Sequence, residues 1–224
     1  MLDAVIFDLG GVLLSNGRPS DVARHYPGVD PDALVAAITG PPGEDGDHPW
    51  HRLERGEITM KEYQLASRQH LAALGIPSAS EAPATERPRP RIEFFGNDAM
   101  LDLVGDLRAA GVRTGMLTNN AKEMRPHWWP VADWPALFDD IVDSHEVGIR
   151  KPNPAIYALA LARLGVSAER SVFLDDLAAN VEGAAAVGLP AIQVLGQGER
   201  AISEVRRRAG LSPRGSALHE HPNE

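Results

Sequence analysis

The chain has 224 residues, of which 31 are acidic and 22 basic, for a formal charge of −9. That length suits one large domain or a core with a smaller inserted unit, and an apolar share of 43% predicts a folded globular protein. The acidic surplus argues against nonspecific binding to nucleic acid or acidic membranes, and the lack of cysteine excludes disulfides, thiolate catalysis and zinc–cysteine sites. With no basic and apolar leader and no membrane-length run, a cytoplasmic protein is expected.

The first predicted element is Ala4-Val5-Ile6-Phe7, an apolar run ending in Asp8 and followed by Leu9-Gly10-Gly11. Such a run reads as a buried strand of a parallel sheet, whose ligand site lies beyond the strands' carboxyl ends. A polar turn follows from Ser15 to Pro19, and residues from about 20 to 75 read as helices. Asp30-Pro31-Asp32 is a helix start, followed by Leu34, Val35 and Ile38 at helical spacing. Gly40-Pro41-Pro42-Gly43 breaks the chain, and a second helical stretch runs from Thr59 through Tyr63, Leu65, Ala66, His70 and Leu74 to Gly75. Residues 76–91, rich in proline, serine and charge, read as a linker.

From Asn97 helix and strand alternate. Met100, Leu103, Val104 and Leu107 form one helical face, closed by Gly111. Strands are expected at 112–117, near 140–142, at 171–174 and at 191–195. Helices are expected from Asn153-Pro154 to Gly165, from about Ala178 to Gly188, and at 199–209. This alternation implies an α/β fold with a doubly wound parallel sheet, built from residues 1–15 and 97–224, with a helical insert at 16–96. His219 and His221 in the tail read as solvated.

Three strands end in polar residues: Asp8, Thr118-Asn119 and Asp175-Asp176. Parallel strands bring those ends to one rim, where converging carboxylates repel unless a cation holds them. Hard oxygen ligands of this kind suit Mg²⁺. Lys151, before Pro152-Asn153-Pro154, is placed to bring a positive charge to the same rim.

In these residues the chain resembles the haloacid dehalogenase-like hydrolase superfamily. Four motifs stand in order: Val5-Ile6-Phe7-Asp8-Leu9-Gly10-Gly11-Val12, Met116-Leu117-Thr118-Asn119, Arg150-Lys151-Pro152, and Val172-Phe173-Leu174-Asp175-Asp176 with Asn180 beyond. The insert matches the position of that family's small helical cap, and Arg55-Gly56-Glu57-Ile58 resembles a subgroup with sugar-phosphate phosphatases. The phosphatase domain of soluble epoxide hydrolases is a more distant relative.

The resemblance implies a Rossmann-like core and Mg²⁺-dependent hydrolysis of a small phosphorylated metabolite, with no nucleic-acid or membrane partner. Asp8 would be the nucleophile, forming an aspartyl-phosphate, and also a metal ligand. Asp176 and the Gly10 carbonyl would bind the metal directly, and Asp175 through water. Thr118 and Asn119 would hydrogen-bond the transferring phosphoryl group, and Lys151 would hold both Asp8 and a phosphate oxygen. Asn180 would orient the acidic pair.

One position departs from the family pattern. Gly10 stands where a second aspartate usually protonates the leaving group, a role worth roughly 10²–10⁴-fold. A good leaving group, a substitute acid among His48, His51, Glu54 and Glu57, or a poorly active phosphoester-binding protein would each accommodate it. Two other reactions of the superfamily remain as alternatives. Haloacid dehalogenation by Asp8 needs no metal, and phosphonatase-type cleavage needs a Schiff-base lysine, for which Lys61 is the only lysine in the insert.

Overall fold

The computed structural model describes residues 2–15, 26, 28–41, 43–76 and 93–213. Residues 77–91 of the expected linker, the first part of the expected insert (residues 16–25), and His219 and His221 lie outside the described residues.

Strand β1 (Ala4–Phe7) is buried on both faces, as its unbroken apolar sequence requires. Four helices follow it: α1 (Pro31–Thr39), α2 (Pro49–Glu54), α3 (Met60–Ala66) and α4 (Arg68–Ala73). Their starts are set by local chemistry. Asp30 accepts the Asp32 amide at 2.9 Å ahead of Pro31, and Thr59 with Glu62 forms a reciprocal capping box at α3. Helix α2 was not expected from sequence. It is only six residues long, and its apolar signal is the pair Trp50 and Leu53. The single helix expected from Thr59 to Gly75 is broken at Ser67, where ψ is −7°. Leu65 of this stretch is 60% exposed. Tyr63 takes the inward position, and a residue two places on lies about 200° around the helix.

The chain then runs through α5 (Asp98–Ala109), β2 (Arg113–Thr118), two short helices α6 (Arg125–Trp128) and α7 (Trp134–Leu137), β3 (Asp140–Asp143) and α8 (Ser144–Val147). It closes with α9 (Pro154–Leu164), β4 (Ser171–Asp175), α10 (Ala178–Ala186), β5 (Ala191–Gln193) and α11 (Glu199–Ala209). All strand pairs are parallel, in the order β3-β2-β1-β4-β5, giving the doubly wound α/β sheet that the alternation predicts.

The period-two alternation of β1 divides the core. Val5 and Phe7 pack with Met100, Leu103, Val104 and Leu107 of α5, and with Ala201, Val205 and Ala209 of α11. Ala4 and Ile6 face the other way, against Ile156, Tyr157, Ala160 and Leu164 of α9 and Ala184 of α10. Helices therefore cover both faces, which leaves the strand ends as the place where polar groups can gather. Among the described residues, no helix is long and apolar enough to cross a membrane.

Candidate active site

Register places the polar residues before any side chain is considered. Phe7 of β1 stands level with Met116 of β2 and Leu174 of β4. The next residue of each strand line, Asp8, Leu117 and Asp175, therefore lies together at the carboxyl rim. Asp8 continues the ladder through its amide, which donates to Leu174 O at 2.8 Å. Gly11 then turns the chain at φ 74°, a left-handed conformation that a side chain would strain.

The Lys151 side chain is buried, 1% exposed, and its Nζ makes three hydrogen bonds at this rim. It donates to Asp8 Oδ1 and to Asp175 Oδ2, each at 2.7 Å, and to Leu117 O at 3.0 Å. Asp176 completes the cluster: one carboxylate oxygen from each of Asp8, Asp175 and Asp176 lies within 4.8 Å of the others. Burial alone would depress the lysine, but Asp175 and Asp8 outweigh it and hold the ammonium above its usual range. Asp8 moves up to about 8, by burial first, against the attraction of Lys151 and with the repulsion of Asp175 and Asp176 added.

Three carboxylates around one ammonium leave uncompensated negative charge in a buried place. The donor set, all hard carboxylate oxygens, suits a divalent cation such as Mg²⁺. Asp175 is the most tied of the three. Its Oδ1 accepts from the Leu177 amide at 2.8 Å, and Asn180 Nδ2 donates to both of its oxygens at 3.0 Å. Asn180, itself buried, thus holds Asp175 from within α10.

Thr118 ends β2 and is buried at the rim. Asn119 follows it, and its side chain engages the neighbouring loop. Its side chain pairs with the Lys151 backbone at both ends, Nδ2 donating to Lys151 O at 3.0 Å and Oδ1 accepting the Lys151 amide at 2.8 Å. It fixes the residue that carries the ammonium.

Of the four candidates for a substitute acid, Glu54, Glu57 and His48 are held by other groups, while His51 accepts the Gly46 amide at Nδ1 and keeps its buried Nε2 without a hydrogen-bond partner among the described residues. Glu54 Oε1 accepts from Trp50 Nε1 and Oε2 from Arg150 Nε, both at 2.7 Å. Glu57 pairs with Arg55 and Arg52 and is held below the usual carboxylate range by them. His48 Nδ1 accepts the Trp50 amide at 3.2 Å, capping α2. His51 is fully buried and pushed down to about 4 by burial, then by Arg150, His48 and Arg55. Lys61 is exposed, unlike a lysine desolvated for imine chemistry.

One polar strand end escaped the sequence reading. Strand β3 also runs from apolar residues into a carboxylate, Ile141-Val142-Asp143, level with Thr118. Asp143 is fully buried, raised by burial against the pull of His145, and its Oδ1 lies 2.7 Å from His145 Nδ1. The same pattern that marked Asp8 was present there.

Comparison with known proteins bears on the family and the fold. A family model described as haloacid dehalogenase-like hydrolase matches residues 2–188. Acyl-CoA dehydrogenase family member 10 of Mus musculus is 33% identical over 93% of this chain, and the chain spans only 19% of that protein's length. Sesquiterpene phosphatase astK of Aspergillus oryzae is 30% identical, covering 83% of this chain and 86% of the relative. Among solved structures, a dehalogenase superposes with a TM-score of 0.64 at 21% identity, covering 92% of this chain and 96% of its own, a likeness of fold.

Proposed function

The chain belongs to the haloacid dehalogenase-like hydrolase family, and we propose that it is a Mg²⁺-dependent phosphatase of a small phosphorylated metabolite, working through an aspartyl-phosphate. The observation that carries this reading is Lys151 Nζ, clamped between Asp8 and Asp175 at 2.7 Å with Asp176 beside them. The acidic pair Asp175-Asp176 beside Asp8 argues against dehalogenation by Asp8, which needs no metal, and for phosphate chemistry. A phosphate dianion needs positive charge, which this chain, at −9, supplies only locally.

Lys151 holds Asp8 by Oδ1, and the carboxylate attacks phosphorus. The ester P–O bond breaks, the leaving oxygen takes a proton from solvent, and the phosphoryl group stays on Asp8. Water then attacks phosphorus, releasing phosphate and restoring the carboxylate. Thr118 hydrogen-bonds the phosphoryl oxygens, and Lys151 neutralises charge on them as the transition state forms. Asp8, Asp176 and the Gly10 carbonyl, with Asp175 through water, would hold Mg²⁺, which when bound adds positive charge at the phosphoryl group. Helices α1 to α4 serve as the cap that closes over the site and selects the substrate.

Gly10, standing where the resemblance expects an acid, bears on the substrate. The described residues supply charge stabilisation without an acid dedicated to the leaving group. Esters whose leaving group departs without protonation, such as acyl or anomeric sugar phosphates, are therefore favoured. A second reading, resting on the same Gly10, is a phosphoester-binding protein of low turnover. The test is phosphate release, with and without Mg²⁺, from a panel of sugar, acyl, terpenyl and graded aryl phosphates. Turnover that needs Mg²⁺, disappears in Asp8→Asn and rises with leaving-group acidity supports the phosphatase. No release from the panel with tight phosphate binding supports the second reading.

A further inference from the structure

We propose that Arg150 and Glu54 form a positioning pair that transmits the seating of the helical insert to the Lys151 ammonium. The inference rests on the reading of Lys151 as the cation of phosphoryl transfer at Asp8. Both side chains are nearly fully buried, 6% and 7% exposed, with Arg150 Nε donating to Glu54 Oε2 at 2.7 Å. The same guanidinium donates through Nη1 to the Glu44 carbonyl. Arg150 therefore points from the core into the insert, while the next residue, Lys151, points into the rim.

Each end of this connection is fixed. On the insert side, Glu54 Oε1 accepts the Trp50 indole N–H. Trp50 packs edge-on against Tyr63 with ring centres 5.3 Å apart, and the Tyr63 hydroxyl donates to Ile38 O at 3.0 Å. Helices α1, α2 and α3 thus converge on one carboxylate. On the core side, Asn119 grips the Lys151 amide and carbonyl. Two residues on, Asn153 Nδ2 donates to Asp45 Oδ2 in the insert at 3.0 Å. The segment from 150 to 153 is therefore bonded to insert, rim and insert in turn.

Glu54 is not placed to act as the missing acid, because both of its oxygens are held by donors. Its partner is instead one peptide bond from the catalytic lysine. A buried ion pair that loses one member leaves an unpaired charge, which the structure relieves by moving. The movement available to Arg150 is withdrawal toward solvent, which pulls on the Lys151 backbone. Small displacements at a reacting centre are costly in rate.

The test uses the full chain with Mg²⁺ and an aryl phosphate, comparing Glu54→Gln with wild type, alongside backbone amide hydrogen exchange without substrate. The expected result is a fall in kcat of tenfold or more per folded molecule, a change in KM of less than threefold, and at least tenfold faster exchange of the Lys151 amide. Unchanged Lys151 exchange beside faster exchange in residues 49–66 overturns the proposal, since Glu54 then only holds the insert together. Should Glu54→Gln not fold, Trp50→Phe removes the N–H that steadies Glu54 and keeps every charge. It is expected to shift kcat and Lys151 exchange the same way by a smaller factor, and no shift in either overturns the proposal. If the wild type hydrolyses no phosphate ester yet the Lys151 amide responds to Glu54→Gln, the phosphatase reading fails and the mechanical coupling stands.

Discussion

Replacing Lys151 by methionine tests whether the ammonium is the charge that makes three clustered carboxylates tolerable. The side chain is of similar length, so packing is largely kept and the charge is lost. Nζ lies 2.7 Å from one oxygen of Asp8 and one of Asp175. At an effective dielectric of about 20, each contact is a gross attraction of about 6 kcal/mol. Desolvating an ammonium that is 1% exposed offsets several kcal/mol of that, and removing one member of a buried pair has a net cost of about 3–5 kcal/mol. For a chain of this size, that lowers Tm by roughly 6–20 °C. The assay is thermal unfolding in chelator and in excess Mg²⁺. Lys151→Met is expected to melt well below wild type in chelator and to gain more from Mg²⁺ than wild type does, because Asp8 and Asp175 then lose the ammonium that bridges them. A variant that melts within about 1 kcal/mol of wild type in chelator, or gains no more from Mg²⁺, refutes the reasoning.

Three further outcomes follow from other parts of the molecule. His51 is held down to about 4 by burial, with Arg150, His48 and Arg55 adding to the effect and Asp45 opposing it. Its contribution to stability is complete above the unfolded value near 6.5 and is lost as pH falls from there toward 4, by up to about 3 kcal/mol. Urea titrations across that range check this, and His51→Leu should flatten the slope. A Cβ at Gly183 would lie 2.8 Å from Pro152 Cβ and 3.0 Å from both Pro152 O and Tyr157 Oη, so Gly183→Ala should cost about 1–3 kcal/mol in a denaturant melt. Gly10→Asp, which restores a carboxylate two positions after Asp8, should speed hydrolysis of alkyl phosphates by roughly 10²–10⁴-fold while changing activated aryl phosphates little.

The core of the fold was legible because its signals are local. Apolar runs ending at glycine, and helices opened by Asn or Asp and closed by glycine, do not depend on distant partners. Asp8, Thr118, Lys151 and Asp175-Asp176 were legible for a related reason: a parallel sheet converts position at a strand end into a place in space. The same rule applies to Asp143, but β3 has only two apolar residues, Ile141 and Val142, ahead of its carboxylate, against the four of β1. The insert was harder. Its helices of six to nine residues have little periodicity to read, so α2 and the break at Ser67 emerged only from packing.

Sequence by itself determined the two features that frame this protein: an aspartate at the end of the first strand, and a glycine two positions later, where the family resemblance implies an acid. The first follows from residue identity and the period of the chain, the second from the motif. Tertiary structure alone decided what surrounds them. Nothing in the order of residues joins Glu54 to Arg150, 96 positions apart, or turns the Asn119 side chain onto the Lys151 backbone. Such contacts depend on where an insert comes to rest against a sheet, and that is fixed by the burial of both surfaces together.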